Sequence, residues 1–469
     1  MDAGDFRLAP PTCPPSALFL CKTTVSVTPD TVRTVPDGIR QTAPRALRLR
    51  GETLEGDKSE PTYLLRDAQL LDGTFLVHHF MMTPFKNAQE PGTPSLLASV
   101  RHTVEVTFLS SYTNVLLIFV FLGILSGSQE WNPSAVFILN FLAIFPLASL
   151  LSFATEELAK SVGQTVGGLI NASFGNAIEM IVGITAVSQG EIHMVQSSMV
   201  GSILSGTLLV LGCCFFASGY DKETVHFNVD VTGIMSSLMI VSSSALIIPS
   251  TLYSTSLYAS PGGNEYILHL SHITAALLLL FYFVYLYFQL SSHSHLFTST
   301  EDDEEEEERQ LGPMAASIIL IAATLGVTVC SDYLVEGVDG FVEAYGVSRA
   351  FLGLIVVPIV GNAGEFATTV KAAKEGKVDL AIGVIVGSTL QIALFVTPFL
   401  VLYGWALDQP MSLRFNSFET ACFSLAVVVM NCLIREGRSN YFAGVLLCGT
   451  YLIIAIAFYV HPDIVVPGE

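Results

Sequence analysis

The pentapeptide Gly175-Asn176-Ala177-Ile178-Glu179 returns as Gly361-Asn362-Ala363-Gly364-Glu365. Each copy sits in an apolar run long enough to cross a bilayer, which takes about 20 residues. A carboxylate at the centre of such a helix costs about 2.5–3.5 kcal/mol or more. A chain that carries this cost twice, in one five-residue setting, is expected to use both carboxylates together.

The surroundings agree. Only 13% of the 469 residues are charged and 51% are hydrophobic, whereas a soluble domain carries about 25% charged residues. Apolar runs fall at about 113–127, 133–157, 164–188, 191–218, 230–250, 267–290, 313–336, 348–371, 378–404, 416–434 and 440–460. They predict an all-α polytopic membrane protein of about 11 transmembrane helices. The first run is short and is weakened by Asn114 and Gly123. Much of the net charge of −20 comes from the acidic run 301–308, and nothing is basic enough for nucleic acid. Neither H-E-x-x-H nor C-x-x-C occurs, so neither an enzyme nor a bound cofactor is expected. Residues 1–110 read as a mostly disordered tail without a signal peptide.

Lysine and arginine set the topology. With the N-terminus in the cytosol, Lys160, Lys222, Arg309, Lys371, Lys374, Lys377, Arg435 and Arg438 fall on the cytosolic side, and Arg349 and Arg414 opposite. This is the bias of the positive-inside rule, and it puts the C-terminus in the lumen.

With an offset of 186 residues, Gly167–Gly212 aligns on Gly353–Pro398 without a gap, and 13 of the 46 pairs are identical. They include Gly190/Gly376, Gly201/Gly387 and Ser202/Ser388 besides the motif itself. Five spans separate the motifs, so the two copies cross in opposite directions. The expected domains are an extra first helix at 113–127, two inverted five-helix repeats at 133–290 and 313–460, an acidic cytosolic linker at 291–312 and a short tail at 461–469. Inverted repeats characterise secondary transporters, whose ion sites lie at the midplane between the repeats. Channels can also be pseudosymmetric.

Asn176 and Glu179 are spaced i, i+3 and share a helix face, as do Asn362 and Glu365. Gly175, Gly361 and Pro358 loosen the helices and free carbonyls, which membranes tolerate only where a cavity or ligand receives them. Two such motifs offer oxygens enough for the six to eight ligands of Ca²⁺, and two carboxylates match its charge. Glu179 and Glu365 are thus the candidate metal and proton ligands. Desolvation and mutual repulsion favour protonated carboxyls and a bound dication favours ionised ones, so H⁺ and Ca²⁺ compete. The spacing does not separate H⁺ from Na⁺ as counter-ion.

Residues 164–188 resemble the first signature of the cation/proton exchangers of the Ca²⁺/H⁺ antiporter family, and residues 353–405 the second. The stretch 440–463 is similar too, and the fungal branch is the most similar. The resemblance implies eleven spans, an acidic cytosolic segment, Glu179 and Glu365 as the central carboxylates, and a vacuolar membrane. It places Asp332 in the cation pathway and Gln391 near the site. Phe366 stands where the family usually has histidine, Gly364 where it has alanine, and Gly206 where it has asparagine. Ser388 beside Gln391, and one of Glu156 and Glu157, with Glu156 favoured, are further supporting candidates. Asp332, Glu336 and Asp339 are expected on one face of a single span.

The reading is Ca²⁺/H⁺ exchange across an acidic organelle's membrane, with Mn²⁺ a second candidate cation and a homo-oligomer left open. Na⁺-coupled Ca²⁺ exchange, a cation channel and a sensing paralogue without transport are the alternatives. The topology is checked by cysteine labelling in a background lacking the native cysteines. A Lys374→Cys variant is expected to react with an impermeant maleimide from the cytosolic face, and an Arg414→Cys variant only from the opposite face.

Overall fold

The computed structural model describes residues 102–107, 112–162, 164–254, 263–297 and 310–460. The expectations for the acidic run, the C-terminal tail and the N-terminal tail fall outside the described residues, except that 102–107 of the last form a short helix.

The described chain is almost wholly helical. In order come α1 (Thr113–Ser128), α2 (Pro133–Val162), α3 (Gln164–Phe174), α4 (Ala177–Ser188), α5 (Ile192–Gly219), α6 (Val229–Ser254) and α7 (Glu265–Ser292). Then follow α8 (Pro313–Glu336), α9 (Val338–Tyr345), α10 (Arg349–Gly361), α11 (Ala363–Lys374), α12 (Val378–Ala406), α13 (Ser417–Ile434) and α14 (Tyr441–Val460). Eight of the described helices are long and apolar enough to cross a membrane, and α3/α4 and α9/α10 are bent pairs. The two-residue strands β1 (Val225–His226) and β2 (Arg438–Ser439) pair antiparallel and tie the α5–α6 and α13–α14 connections.

One expectation is corrected. Helix α8 stops at Glu336, and α9 turns away to meet α10 at 119°. Between them stands Gly337, where a Cβ would stand 3.0 Å from both the Phe137 nitrogen and the Pro133 carbonyl of α2. The chain approaches α2 closely at this point. Asp332 and Glu336 therefore share a helix, but Asp339 belongs to the next one.

The two halves repeat in detail. Helix α4 ends in Gly190 at φ +82 and α11 in Gly376 at φ +93, a left-handed conformation that only glycine adopts freely. The N-caps that follow, Glu191 and Lys377, have ψ of 56° and 58°. Helices α5 and α12 then run α-helical through Ser202 and Ser388 and widen into π-helical turns at Ser205–Val210 and Ile392–Val396. Such turns cluster at functional positions.

The two ends of the bundle differ in charge. Glu156 and Glu157 meet Lys160 where the backbone of Gln310 enters α8. The β1–β2 pair and the Asn228–Asp379 contact carry Lys222, Lys377, Arg435 and Arg438 at connections of this same parity. Arg349 sits at the other end, bonded to Glu191 at 3.0 Å and Asp339 at 2.5 Å.

Packing departs from the repeat at one pair of identical residues. A Cβ on Gly201 would collide with the Leu354 carbonyl and Pro358, so α10 lies directly on α5. The equivalent Gly387 would meet only the Met235 methyl, at 3.8 Å. Small residues set how closely membrane helices approach. Gly201→Ala is therefore expected to destabilise this arrangement by about 1–3 kcal/mol, while Gly387→Ala leaves it unchanged. Thermal melts of the two purified variants check the difference.

Candidate cation site

Both motifs interrupt a helix at the same place. Asn176 separates α3 from α4 with φ −108, ψ 31, and Asn362 separates α10 from α11 with φ −80, ψ 1. Each break makes its glutamate the third residue of a new helix, so Glu179 and Glu365 stand in the first turn of α4 and α11. Unpaired N–H groups and the positive end of the helix dipole face a carboxylate there.

The asparagines cross between halves reciprocally. Asn176 Nδ2 donates to the Ser388 carbonyl at 3.3 Å, and Asn362 Nδ2 donates to the Ser202 carbonyl, also at 3.3 Å. Ser202 and Ser388 are themselves repeat equivalents. Asn176 makes two further bonds. Its Nδ2 donates to Gln391 Oε1 at 2.7 Å, and its Oδ1 accepts from Ser388 Oγ at 2.9 Å. Both asparagines are buried. Read from sequence as cation ligands, they are engaged here in bonding one half to the other. Gln391 Nε2 is buried and has no partner among the described residues.

The carboxylates remain available. Glu179 is 6% exposed and lines a small pocket with Ser198, Ser202, Met199 and Gly361. A methyl group on Gly361 would collide with its Oε1, so only glycine lets α10 pass there. Glu365 is half-buried three residues after Asn362 and is not among the residues that line this pocket. Of the candidate residues, Glu179 and Gly361 line the pocket with Ser202, which accepts from Asn362, while Asn176, Ser388 and Gln391 form a second bonded group across the halves. A Cβ on Gly175 would meet the Asn171 carbonyl at 2.8 Å and Gln391 Oε1 at 3.7 Å.

Two supporting candidates lie elsewhere. Glu156 is 51% exposed and paired with Lys160 at 3.0 Å. Its neighbour Glu157 is the buried one, and its Oε2 accepts the N–H groups of Gln310 at 2.8 Å and Leu311 at 2.9 Å. Of the adjacent acids, Glu157 rather than Glu156 turns inward, and it fixes the start of α8. Asp332 is exposed and does not line the pocket, although its carbonyl accepts from Gln189 at 3.4 Å. Ser202 escaped the sequence reading as a site residue, yet its identity with Ser388 was the signal that pointed to it.

The unusual residues also find places. A Cβ on Gly364 would meet Ser152 Oγ at 2.6 Å, so alanine would force Ser152 aside. A Cβ on Gly206 would stand 3.0 Å from Thr389 Oγ1. Phe366 is exposed and outside the pocket lining.

Paired carboxylates at broken helices, held by reciprocal bonds between two like halves, are the arrangement of a secondary cation transporter. The chain belongs to the sodium/calcium exchanger protein family, whose profile matches residues 132–291 and 315–460. It is 44% identical over 370 residues to the vacuolar calcium ion transporter of Schizosaccharomyces pombe, covering 79% of this chain and 89% of that protein. It is 38% identical to the Ca²⁺/H⁺ antiporter of Synechocystis, covering 75% and 98%. A crystal structure of the Ca²⁺/H⁺ antiporter protein YfkE superposes with a TM-score of 0.63 at 32% identity, over 74% of this chain and 99% of YfkE.

The hydrogen bonds rank the asparagines. Asn176→Ala removes three interhelical bonds and leaves Gln391 without an amide partner, whereas Asn362→Ala removes one. Unmet buried polar groups cost about 1–3 kcal/mol each. Asn176→Ala is expected to lower the melting temperature more than Asn362→Ala, as differential scanning fluorimetry of the purified proteins would register.

Proposed function

We infer that this protein is a secondary transporter that exchanges Ca²⁺ for H⁺. The single observation that carries this is the pair Glu179 and Glu365, set in the first turns of α4 and α11 at two helix breaks whose asparagines bond across the two halves. One dication satisfies both negative charges, and two protons replace it. A shared site of this kind couples the two fluxes by competition. The named activities of the S. pombe, Synechocystis and YfkE relatives agree.

The fuller reading is eleven spans in two inverted five-helix repeats joined by the acidic cytosolic linker. Helix α1 is the extra span, and α3/α4 and α10/α11 are each one broken span. The clustering of lysine and arginine supports a cytosolic N-terminus and a lumenal C-terminus. The S. pombe relative supports a vacuolar membrane. The Arg349 end is then lumenal, and cytosolic Ca²⁺ moves to the lumen as protons leave it. The unequal packing at Gly201 and Gly387 supports alternating access, with the α10–α5 contact exchanged for a matching α3–α12 contact. Asp332, exposed at the α8 end, belongs to the lumenal side of the path. Mn²⁺ is a competitor to be measured in the same assay.

The test is ⁴⁵Ca²⁺ uptake into sealed proteoliposomes with an acid interior. Uptake is expected to follow the proton gradient, to collapse with a protonophore and to be lost in Glu179→Gln and in Glu365→Gln. Uptake that ignores the proton gradient and follows an outward Na⁺ gradient would overturn this reading in favour of Na⁺ coupling. Gradient-independent conductance would instead identify a channel.

A further inference from the structure

Besides Glu179, the fully buried acids among the described residues are Glu157 and Glu419. Glu157 is accounted for by Lys160 and two short backbone bonds. Glu419 is not. It stands in the first turn of α13, 4% exposed, and no cation pairs with it among the described residues. Its Oε1 accepts from Ser197 Oγ at 2.6 Å, and its Oε2 accepts the Asn416 N–H at 3.3 Å.

The Asn416 contact belongs to a capping box that closes the start of α13. A capping box is served equally by glutamine at this position, whose amide nitrogen would then donate to Ser197 Oγ. Local structure therefore needs an oxygen acceptor here, not an ionisable group. An acid buried in the membrane without that need points to function.

Its place is suggestive in detail. Ser197 precedes Ser198, which lines the Glu179 pocket. A Cβ on Gly353 of α10 would touch Ser197 Cβ and the Met194 carbonyl, each at 3.0 Å. Glu419 thus lies one layer behind the pocket wall, where α5, α10 and α13 meet. Gln196 Nε2 donates to the Ser412 carbonyl at 2.7 Å, which places this layer at the Arg349 end. The titratable group facing Glu419 from its own helix is Cys422. From α5 it is faced by Ser197. Arg414, in the loop before α13, stacks on the Tyr253 ring of α6 at 3.8 Å. The first half has no match. Helix α6 also starts at a capping asparagine, Asn228, but its first-turn acid Asp230 is exposed.

We propose that Glu419 is a further proton-binding residue of the exchange cycle, reached from the Arg349 side and controlling how transport responds to acid on that side. It takes up one proton on a carboxylate oxygen and releases the same proton, so no other reactant is needed. The proposal rests on the Ca²⁺/H⁺ exchange reading above.

The test uses the full chain in proteoliposomes oriented with the Arg349 side inward. Uptake of ⁴⁵Ca²⁺ is followed while internal pH is varied at fixed external pH. In the wild type the rate rises with internal acid. Glu419→Gln is expected to flatten this dependence and to lower the acid-stimulated rate about tenfold, the factor that one unit of proton affinity represents. Glu419→Asp is expected to restore a dependence displaced along the pH axis. The dependence on external Ca²⁺ and the melting temperature of Glu419→Gln should stay at the wild-type values, since cap and Ser197 bond persist. A wild-type internal-pH profile in Glu419→Gln would overturn the proposal alone. A lowered melting temperature with an unshifted profile would assign the residue to structure and overturn it too. Wild-type vesicles without proton-driven uptake would overturn the exchange reading, and this proposal with it.

Discussion

The structure depends on two hydrogen bonds that mirror each other. Asn176 reaches from the first half to the Ser388 carbonyl, and Asn362 from the second half to the Ser202 carbonyl. Each bond exists because a helix breaks at the asparagine, and each break delivers a glutamate to the first turn of the next helix. Breaking a helix inside a membrane exposes polar backbone that lipid cannot satisfy. Here the side chain at each break is bonded to a carbonyl of the partner half. Neither half is complete alone, and the cation site is the product of that mutual dependence.

Symmetry of sequence does not impose symmetry of packing. Gly201 and Gly387 are equivalent, yet only Gly201 has the opposing helix against it. Glu191 and Lys377 cap equivalent helices with nearly the same backbone angles. Glu191, however, is held by Arg349, and the position equivalent to Arg349 is Gly163. One end therefore has an ion pair between α10 and the start of α5 that its counterpart cannot form. Exposed pairs of this kind are worth about 0–1 kcal/mol, small beside the glycine contact. They bias which arrangement is occupied rather than create it. The exchange reading asks for such a balance, because a cycle that rests too deeply in one arrangement turns over slowly.

Much of the fold and site was legible before any coordinates, for identifiable reasons. Apolar run length marks helices that cross a membrane. A repeated Gly-Asn-Ala-x-Glu marks the breaks, because glycine and asparagine loosen helices while a membrane glutamate needs a reason to be present. Gly190 and Gly376 were visible as identities, and their positive φ explains them. Other features were hidden. That Glu157 rather than Glu156 is buried depends on where the backbone of Gln310 and Leu311 arrives, far along the chain. Periodicity placed Asp332, Glu336 and Asp339 on one face, but the helix ends at Glu336 and Asp339 falls in the next one.

By itself the sequence determined the class of protein, the repeat and the two carboxylates, since these follow from composition, spacing and the cost of charge in hydrocarbon. Only the tertiary structure decided what the neighbouring side chains do. It turned Asn176 and Asn362 toward Ser388 and Ser202, left Gln391 Nε2 without a partner among the described residues and enclosed Glu419 behind Ser197. It also closed α10 on α5 while leaving Gly387 open. The physical reason is the same throughout. A cost or a period is a property of one segment, whereas a partner is a property of two segments that meet only when the chain has folded.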